Sequence, residues 1–285
     1  LDEAFKASAY AWETLSDPLT AKSGDPREAP LSKAYNTNET YWELLAREEH
    51  RSRRFNIAMQ GIQSLQSDVV STAYDWKDLP AGSVIVDVGG GVGTWSLVLA
   101  RKFPDFEFVV QDVPGVIQDA EKLWKTSLPN AKVTLEVQDF FKPQPERNVS
   151  VFLMKHILHD WSDEYVVKIL AQLRTIARPD TKLILIEIII PFACHDPGAD
   201  DGQGIPGSVP REAPAPLLAN YGAVSELSYF LDMDMFVIYN SQERNIRHFD
   251  ELLLSTGWKI KLVRRQEGAS FLHSIEATPV EVPAV

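Results

Sequence analysis

The segment Val84–Trp95, VIVDVGGGVGTW, constrains this chain more than any other stretch. Apolar, mostly β-branched residues run into Asp87, and glycines follow at 89, 90, 91 and 93. The pattern predicts a buried strand, a turn too tight for side chains, and a helix opening near Thr94. Such units hold the ribose-bearing part of a nucleotide-like cofactor at the carboxyl edge of an open α/β sheet. A dinucleotide fingerprint, Gly-x-Gly-x-x-Gly, would need a glycine at 94, where the chain has Thr94. The spacing is instead Asp-x-Gly-x-Gly-x-Gly, over Asp87, Gly89, Gly91 and Gly93. A carboxylate beside the turn repels a pyrophosphate but suits a ligand carrying an ammonium and a sulfonium. The stretch therefore favours S-adenosyl-L-methionine over NAD.

Strands and helices alternate beyond this point. Strands are expected at 84–88, 106–111, 133–137, 149–154 and 183–190, with helices at 95–103, 116–126 and 163–177 between them. Ser162 reads as an N-cap, and Asp163 and Glu164 suit the positive end of that last helix. Two more helices, 225–238 and 246–255, the second capped by Asn245, lead to strands 258–264 and 270–277 joined through Gln266-Glu267-Gly268. The fold class is α/β: a Rossmann-like, doubly wound, mostly parallel sheet with a C-terminal antiparallel hairpin, plus an N-terminal helical segment. Pro80-Ala81-Gly82 marks the boundary between that helical segment, 1–79, and the cofactor-binding body, 80–285. Within the first segment, 16–33 reads as a loop and the run REEHRSRR at 47–54 as a solvated helix face. Residues 191–217, rich in Pro and Gly, read as a long, mobile surface loop.

Charge bounds the partners. With 28 basic and 40 acidic residues the formal net charge is −12, which argues against a nucleic-acid or anionic-membrane surface. One cysteine, Cys194, leaves no internal disulfide and no cysteine zinc site. No leader-like segment and no membrane-length apolar run is seen, so a cytoplasmic protein with a small-molecule substrate is expected.

Ligands in doubly wound sheets sit at the carboxyl ends of the strands, and several strand ends here carry acids or a histidine. Asp87 is expected to anchor the turn and the cofactor's amino group. Asp112, about twenty residues after the glycines, stands where a carboxylate accepts bonds from ribose hydroxyls. Asp139 and Phe140 suit either an adenine site or an ordinary turn. His159 lies past a strand end in LMKHILHDWSDE, placed to act as a general base. His156 reads as a hydrogen-bonded structural residue, and no third ligand at a recognisable spacing makes a metal site of the pair. Glu187 is out of place in LILIEIII, so burial demands a donor, and His159 is the economical partner. Glu243 could meet the same imidazole from another side.

Taken in order, DVGGGVG, QDVP, QDFF, LMKHILHDWSDE, IEIIIP and QER before a helix resemble the caffeic acid and related plant and fungal small-molecule O-methyltransferases. The likeness covers roughly residues 40 to 280, and the loop after the fifth strand resembles the fungal members. The resemblance implies an S-adenosyl-L-methionine-dependent class I enzyme, without metal, that releases S-adenosyl-L-homocysteine. It implies His159 as the base that deprotonates a phenolic hydroxyl, flanked by Glu187 and Glu243. Asp112, with Val113 beside it, would hold the ribose, Asp139 and Phe140 the adenosyl base, and Lys155 and Trp161 would contact the cofactor. Met59 and Met235 would lie against the acceptor ring. The family's usual N-terminal winged-helix domain, which forms its homodimer, has almost no counterpart in this chain. Three other readings stay open: a relative that binds the cofactor but catalyses cyclisation, an NAD-dependent oxidoreductase, and a non-enzymatic binding protein.

Overall fold

The computed structural model describes residues 2–64, 69–197, 204–266 and 272–281. The first part is helical: α1 (Asp2–Ser8), α2 (Ala11–Ser16), α3 (Pro30–Ala34), α4 (Tyr41–Arg47), α5 (Glu49–Ser64) and α6 (Val69–Thr72). Helix α3 and the 3₁₀ turn Pro26–Glu28 replace part of the loop expected over 16–33. Pro30 starts α3 without loss, because the N–H it lacks has no partner in the first turn of a helix. Thr40 and Glu43 close a reciprocal cap on α4. The charged run is more than a solvated face: Arg51 and Arg54 both reach the buried carboxylate of Glu3 on α1, Arg51 at 2.9 Å.

The body follows the predicted alternation. It contains β1 (Val84–Val88), α7 (Thr94–Lys102), β2 (Glu107–Asp112), α8 (Pro114–Ser127), β3 (Val133–Val137), β4 (Val151–Lys155), α9 (Asp163–Ile176), β5 (Lys182–Ile188), α10 (Glu226–Tyr239), α11 (Ile246–Ser255), β6 (Trp258–Arg265) and β7 (Leu272–Pro279). The sheet order is β3-β2-β1-β4-β5-β7-β6. β1 to β5 pair in parallel, and β7 enters antiparallel between β5 and β6. The tip of the expected hairpin, 267–271, lies outside the described residues. Strand five ends two residues early, but Ile189 and Ile190 still pair with Arg244, which brings the QER segment to the end of β5.

Each sheet face is buried. Val86, Phe152 and Leu185 pack with Leu170 of α9 and Phe249 of α11, whereas Ile85, Phe108 and Ile184 pack with Leu99 of α7 and Trp124 of α8. A third cluster joins Leu31, Tyr41 and Leu44 to Met235, Val237 and Tyr239, so α10 is the seam between the N-terminal helices and the sheet. The described parts of 191–217 form no long helix or strand. They are tied to β6, where Val263 donates to the Pro206 carbonyl at 2.9 Å and Arg265 Nε to that of Gly207 at 3.0 Å. Among the described residues no helix is long and apolar enough to cross a membrane.

Candidate active site

The glycine turn has the conformation its sequence requires. Gly89, Gly91 and Gly93 have φ of 65°, 61° and 78°, the left-handed region that favours glycine. A Cβ on Gly90 would lie 2.5 Å from the Asp87 carboxyl carbon, so that turn closes directly over Asp87. Asp87 accepts from Ser96 Oγ at 2.6 Å, pinning β1 to α7, and burial raises its carboxyl to a pKa of about 6. At the end of β2, Asp112 accepts from the Gly91 N–H at 2.8 Å and the Val113 N–H at 2.7 Å. Each oxygen keeps a lone pair for another donor. Burial raises this carboxyl too, against those two amides. The Val113 side chain is exposed.

Asp139 closes a turn at the end of β3 with one oxygen, accepting from the Phe141 N–H at 2.9 Å. Phe140 stands beside Gly89 and meets Trp161 edge-on at 5.8 Å, so an aromatic wall flanks the turn. Lys155 Nζ lies 4.8 Å over the Trp95 ring; burial lowers its pKa to about 8, although Glu187 and Asp87 favour its charge.

His159 sits on the 3₁₀ turn Leu158–Asp160 that leaves β4. Its Nδ1 is 2.8 Å from Glu243 Oε1, and its Nε2 is 3.4 Å from Asp160 Oδ1. Glu187 differs from expectation. Its Oε1 accepts from the backbone N–H groups of Ile157 and Leu158, at 3.1 and 2.9 Å, instead of from the imidazole. The reason is the β4–β5 register, which sets Glu187 under the turn, where two amides would otherwise be buried unpaired. Burial opposes charge on His159, but Asp160, Glu243 and Glu187 outweigh it and raise its pKa to about 10. In the unliganded chain these three carboxylates favour the imidazolium form of His159. Burial also raises Asp160, to about 7.

Several parts of this centre were not found from sequence. Arg244, buried, donates to the carbonyls of Leu158 at 2.8 Å and Trp161 at 2.6 Å and grips Asp163 Oδ1 at 2.9 Å. The other Asp163 oxygen is 2.8 Å from His248 Nε2, so Asp163 is a bridge more than a dipole partner. Ser241 Oγ bonds the His159 carbonyl, and Asp232 accepts from the Glu243 N–H at 2.8 Å. Ser162 is at the N-cap position, but its hydroxyl donates to the Gly24 carbonyl at 2.8 Å and makes no cap bond. Asn245 caps α11 as expected, accepting from the His248 N–H at 3.0 Å. The signal available for Arg244 was its place between Glu243 and an N-cap, where a cation has a polar turn within reach.

His156 is not the hydrogen-bonded residue expected. Among the described residues its Nε2 is buried without a hydrogen-bond partner, and its ring stacks on His159 at 4.8 Å. Met235 is buried in the α10 seam and Met59 is half-buried on α5, whose Phe55 packs against that same cluster. The ligand atoms of His159, Glu187 and Glu243 lie within 4.8 Å of one another. The 2.8 Å His159–Glu243 contact has the length of a hydrogen bond.

The profile of an O-methyltransferase domain matches residues 12–206. The chain is 46% identical to the 4-O-methyltransferase 1 of Phanerochaete chrysosporium, over 98% of this chain and 61% of that protein. It thus spans less than two thirds of the length of the curated relatives it matches. Two solved structures share the fold. One is the O-methyltransferase NcsB1 of neocarzinostatin biosynthesis, in complex with S-adenosylmethionine and 2-hydroxy-5-methyl naphthoic acid (TM-score 0.70, 22% identity, 98% of this chain and 71% of that one). The other is described as a pericyclic reaction enzyme (TM-score 0.71, 17% identity, 98% and 65%). On the profile match and the fungal relative, the chain belongs to the O-methyltransferase-domain family.

Proposed function

We propose that this chain is the catalytic part of an S-adenosyl-L-methionine-dependent O-methyltransferase that methylates a hydroxyl of a small aromatic, phenolic or polyketide-like acceptor, with His159 as general base. One observation carries the reading: an imidazole oriented by a buried glutamate, at the end of β4 and next to the glycine turn that ends β1.

The residues around the turn fit the cofactor. Gly91 has nothing within 4 Å of where a Cβ would stand, so the turn opens onto free space, and Asp112 beside it keeps lone pairs for two ribose hydroxyls. Asp139 and Phe140 would take the adenine, Asp87 and the Gly89–Gly91 turn the amino-acid end, and Lys155 and Trp161 the remaining walls. When bound, S-adenosyl-L-methionine supplies an electrophilic methyl group on a sulfonium and leaves as S-adenosyl-L-homocysteine.

Glu243 fixes the His159 tautomer through Nδ1 and leaves Nε2 to take the acceptor's proton. Glu187 holds the turn that carries His159 and acts as a positioning residue. Three carboxylates against one imidazole leave the unliganded pocket negative. Positive charge arriving in that pocket relieves the field that holds His159 protonated, and its pKa falls towards the range of a useful base. A phenol has a pKa of about 10, so base assistance matters at neutral pH. Met59 and Met235, with the helical segment 1–79, would wall the acceptor; a homodimer and a cytoplasmic setting remain part of this proposal.

The test is His159→Ala. Turnover of a phenol panel should fall by about 10²- to 10⁴-fold, while calorimetric affinity for S-adenosyl-L-methionine stays within a few-fold. Wild-type turnover in the variant would remove His159 from the role of base. The fold shared with a pericyclic reaction enzyme favours a second reading: cofactor binding with cyclisation and no methyl transfer. Bound cofactor with no methylated product on any acceptor would support it.

A further inference from the structure

His156 combines three features the methyl-transfer reading does not use. Its backbone is left-handed, φ 53°, although its N–H still pairs with the Ile186 carbonyl at 3.1 Å. A residue with a Cβ enters this region at a cost of about 1 kcal/mol, and such strain collects where a side chain must be aimed. The ring is aimed at His159, with centroids 4.8 Å apart and planes 27° from parallel. Its Nε2 is buried and unpaired among the described residues, in a pocket where Glu187 and Glu243 each engage a neighbour through Oε1 and keep a buried, unpartnered Oε2. An apolar ring would fill this space and leave no orphan nitrogen.

We propose that His156 is a specificity-determining residue of the acceptor site, a neutral imidazole whose Nε2 hydrogen-bonds a second oxygen of the acceptor, adjacent to the hydroxyl that His159 deprotonates. This rests on the methyltransferase reading. Burial, with the charges of Lys155 and His159, holds the His156 imidazole well below its ordinary pKa, so the ring stays neutral beside the protonated His159. A neutral imidazole donates or accepts according to its tautomer, so it serves a neighbouring hydroxyl, carbonyl or methoxy oxygen alike. Neighbouring oxygens on one aromatic ring stand closer together than the two imidazoles, so two hydrogen bonds can converge on them. The acceptor class is therefore an aromatic ring carrying adjacent oxygens.

The experiment compares kcat/KM for catechol and for phenol in wild type, His156→Phe and His156→Asn. Phenylalanine keeps the stacked ring and removes the nitrogen. Asparagine tolerates the left-handed backbone and keeps a polar end. Wild type should prefer catechol, and His156→Phe should cut that preference about tenfold, mostly through KM, with phenol turnover changed only a few-fold; this is the scale of one hydrogen bond. His156→Asn should recover part of the preference. Unchanged cofactor affinity in each variant shows that it has folded. An unaltered catechol-to-phenol ratio in His156→Phe, an equal loss on both, or no catechol preference in wild type overturns the proposal. If wild type methylates neither, calorimetric binding of catechol and phenol to the S-adenosyl-L-homocysteine complex applies the same ratio to His156, and the methyltransferase reading fails only if the wider phenol panel also gives no methylated product.

Discussion

The glycine turn and the histidine turn leave the ends of neighbouring parallel strands, β1 and β4, yet they are held by opposite means. The glycine turn is shaped by its own backbone and fastened by near neighbours: Ser96 to Asp87, nine residues apart, and Gly91 to Asp112, 21 apart. The histidine turn has few fasteners of its own. Glu187 comes from 29 residues away, Ser241 from 82, Glu243 from 84 and Arg244 from 86. The glycine turn is thus a local structure, closed within β1, α7 and the end of β2. The histidine turn is complete only once β5 and the segment after α10 have docked.

Four substitutions sharpen that contrast. Arg244→Met should have the largest effect, because it strips donors from two turn carbonyls and releases Asp163 from its clamp. The expected loss is about 3 kcal/mol in chemical denaturation, most of it from the carbonyls since Asp163 is half-exposed. Because the clamp holds the turn that carries His159, turnover should drop more than cofactor affinity. An equal fall in both would show that the two turns are not independent.

Asp87→Asn should act on the other side and with the opposite sign. The folded Asp87 carboxyl, at about 6, lies above the unfolded value of 3.8, so ionising it costs the folded state. That cost is absent below about pH 4, grows as the pH rises through 6, and is full above it, at about 3 kcal/mol for a two-unit shift. Denaturation at pH 7 should find the variant more stable than wild type by up to this amount, with the difference vanishing near pH 4. Affinity for S-adenosyl-L-methionine should weaken at the same time. A variant less stable at pH 7 would mean that the Ser96 bond outweighs the burial of charge.

The smallest effects come from the glycines. Alanine at 91, at φ 61° with open space around it, should cost about 1 kcal/mol of backbone strain alone. Alanine at 93 adds a collision with Trp124 Nε1, 2.7 Å from the new Cβ, and should shift the thermal midpoint further. Equal shifts at 91 and 93 would show that Trp124 simply moves aside.

The same contrast explains what was legible in advance. Asp87, Gly89, Gly91, Asp112 and the β-α alternation follow from local pattern, and the structure places them at the expected strand ends. Glu243 meets His159, as the sequence allows, but Glu187 takes backbone amides where the sequence points to the imidazole. A glutamate in LILIEIII announces that something must meet its charge, yet cannot say whether an imidazole or a pair of backbone amides will do so. Arg244 and Asp232 carried no periodic signal at all.

By itself, then, the sequence determined the strand-and-glycine turn that a cofactor site requires, the doubly wound α/β order, and a formal net charge of −12. These depend on backbone sterics, side-chain periodicity and summed charge, each of which acts over short stretches or over the whole composition. Tertiary structure alone decided which buried carboxylates face His159, why His156 Nε2 has no hydrogen-bond partner among the described residues, and how Arg244 clasps the turn. Those outcomes depend on the register of β4 against β5 and on the return of residues 241–244 to the end of β5, because hydrogen bonds and buried charges are set by distances of a few ångströms between residues far apart in the chain.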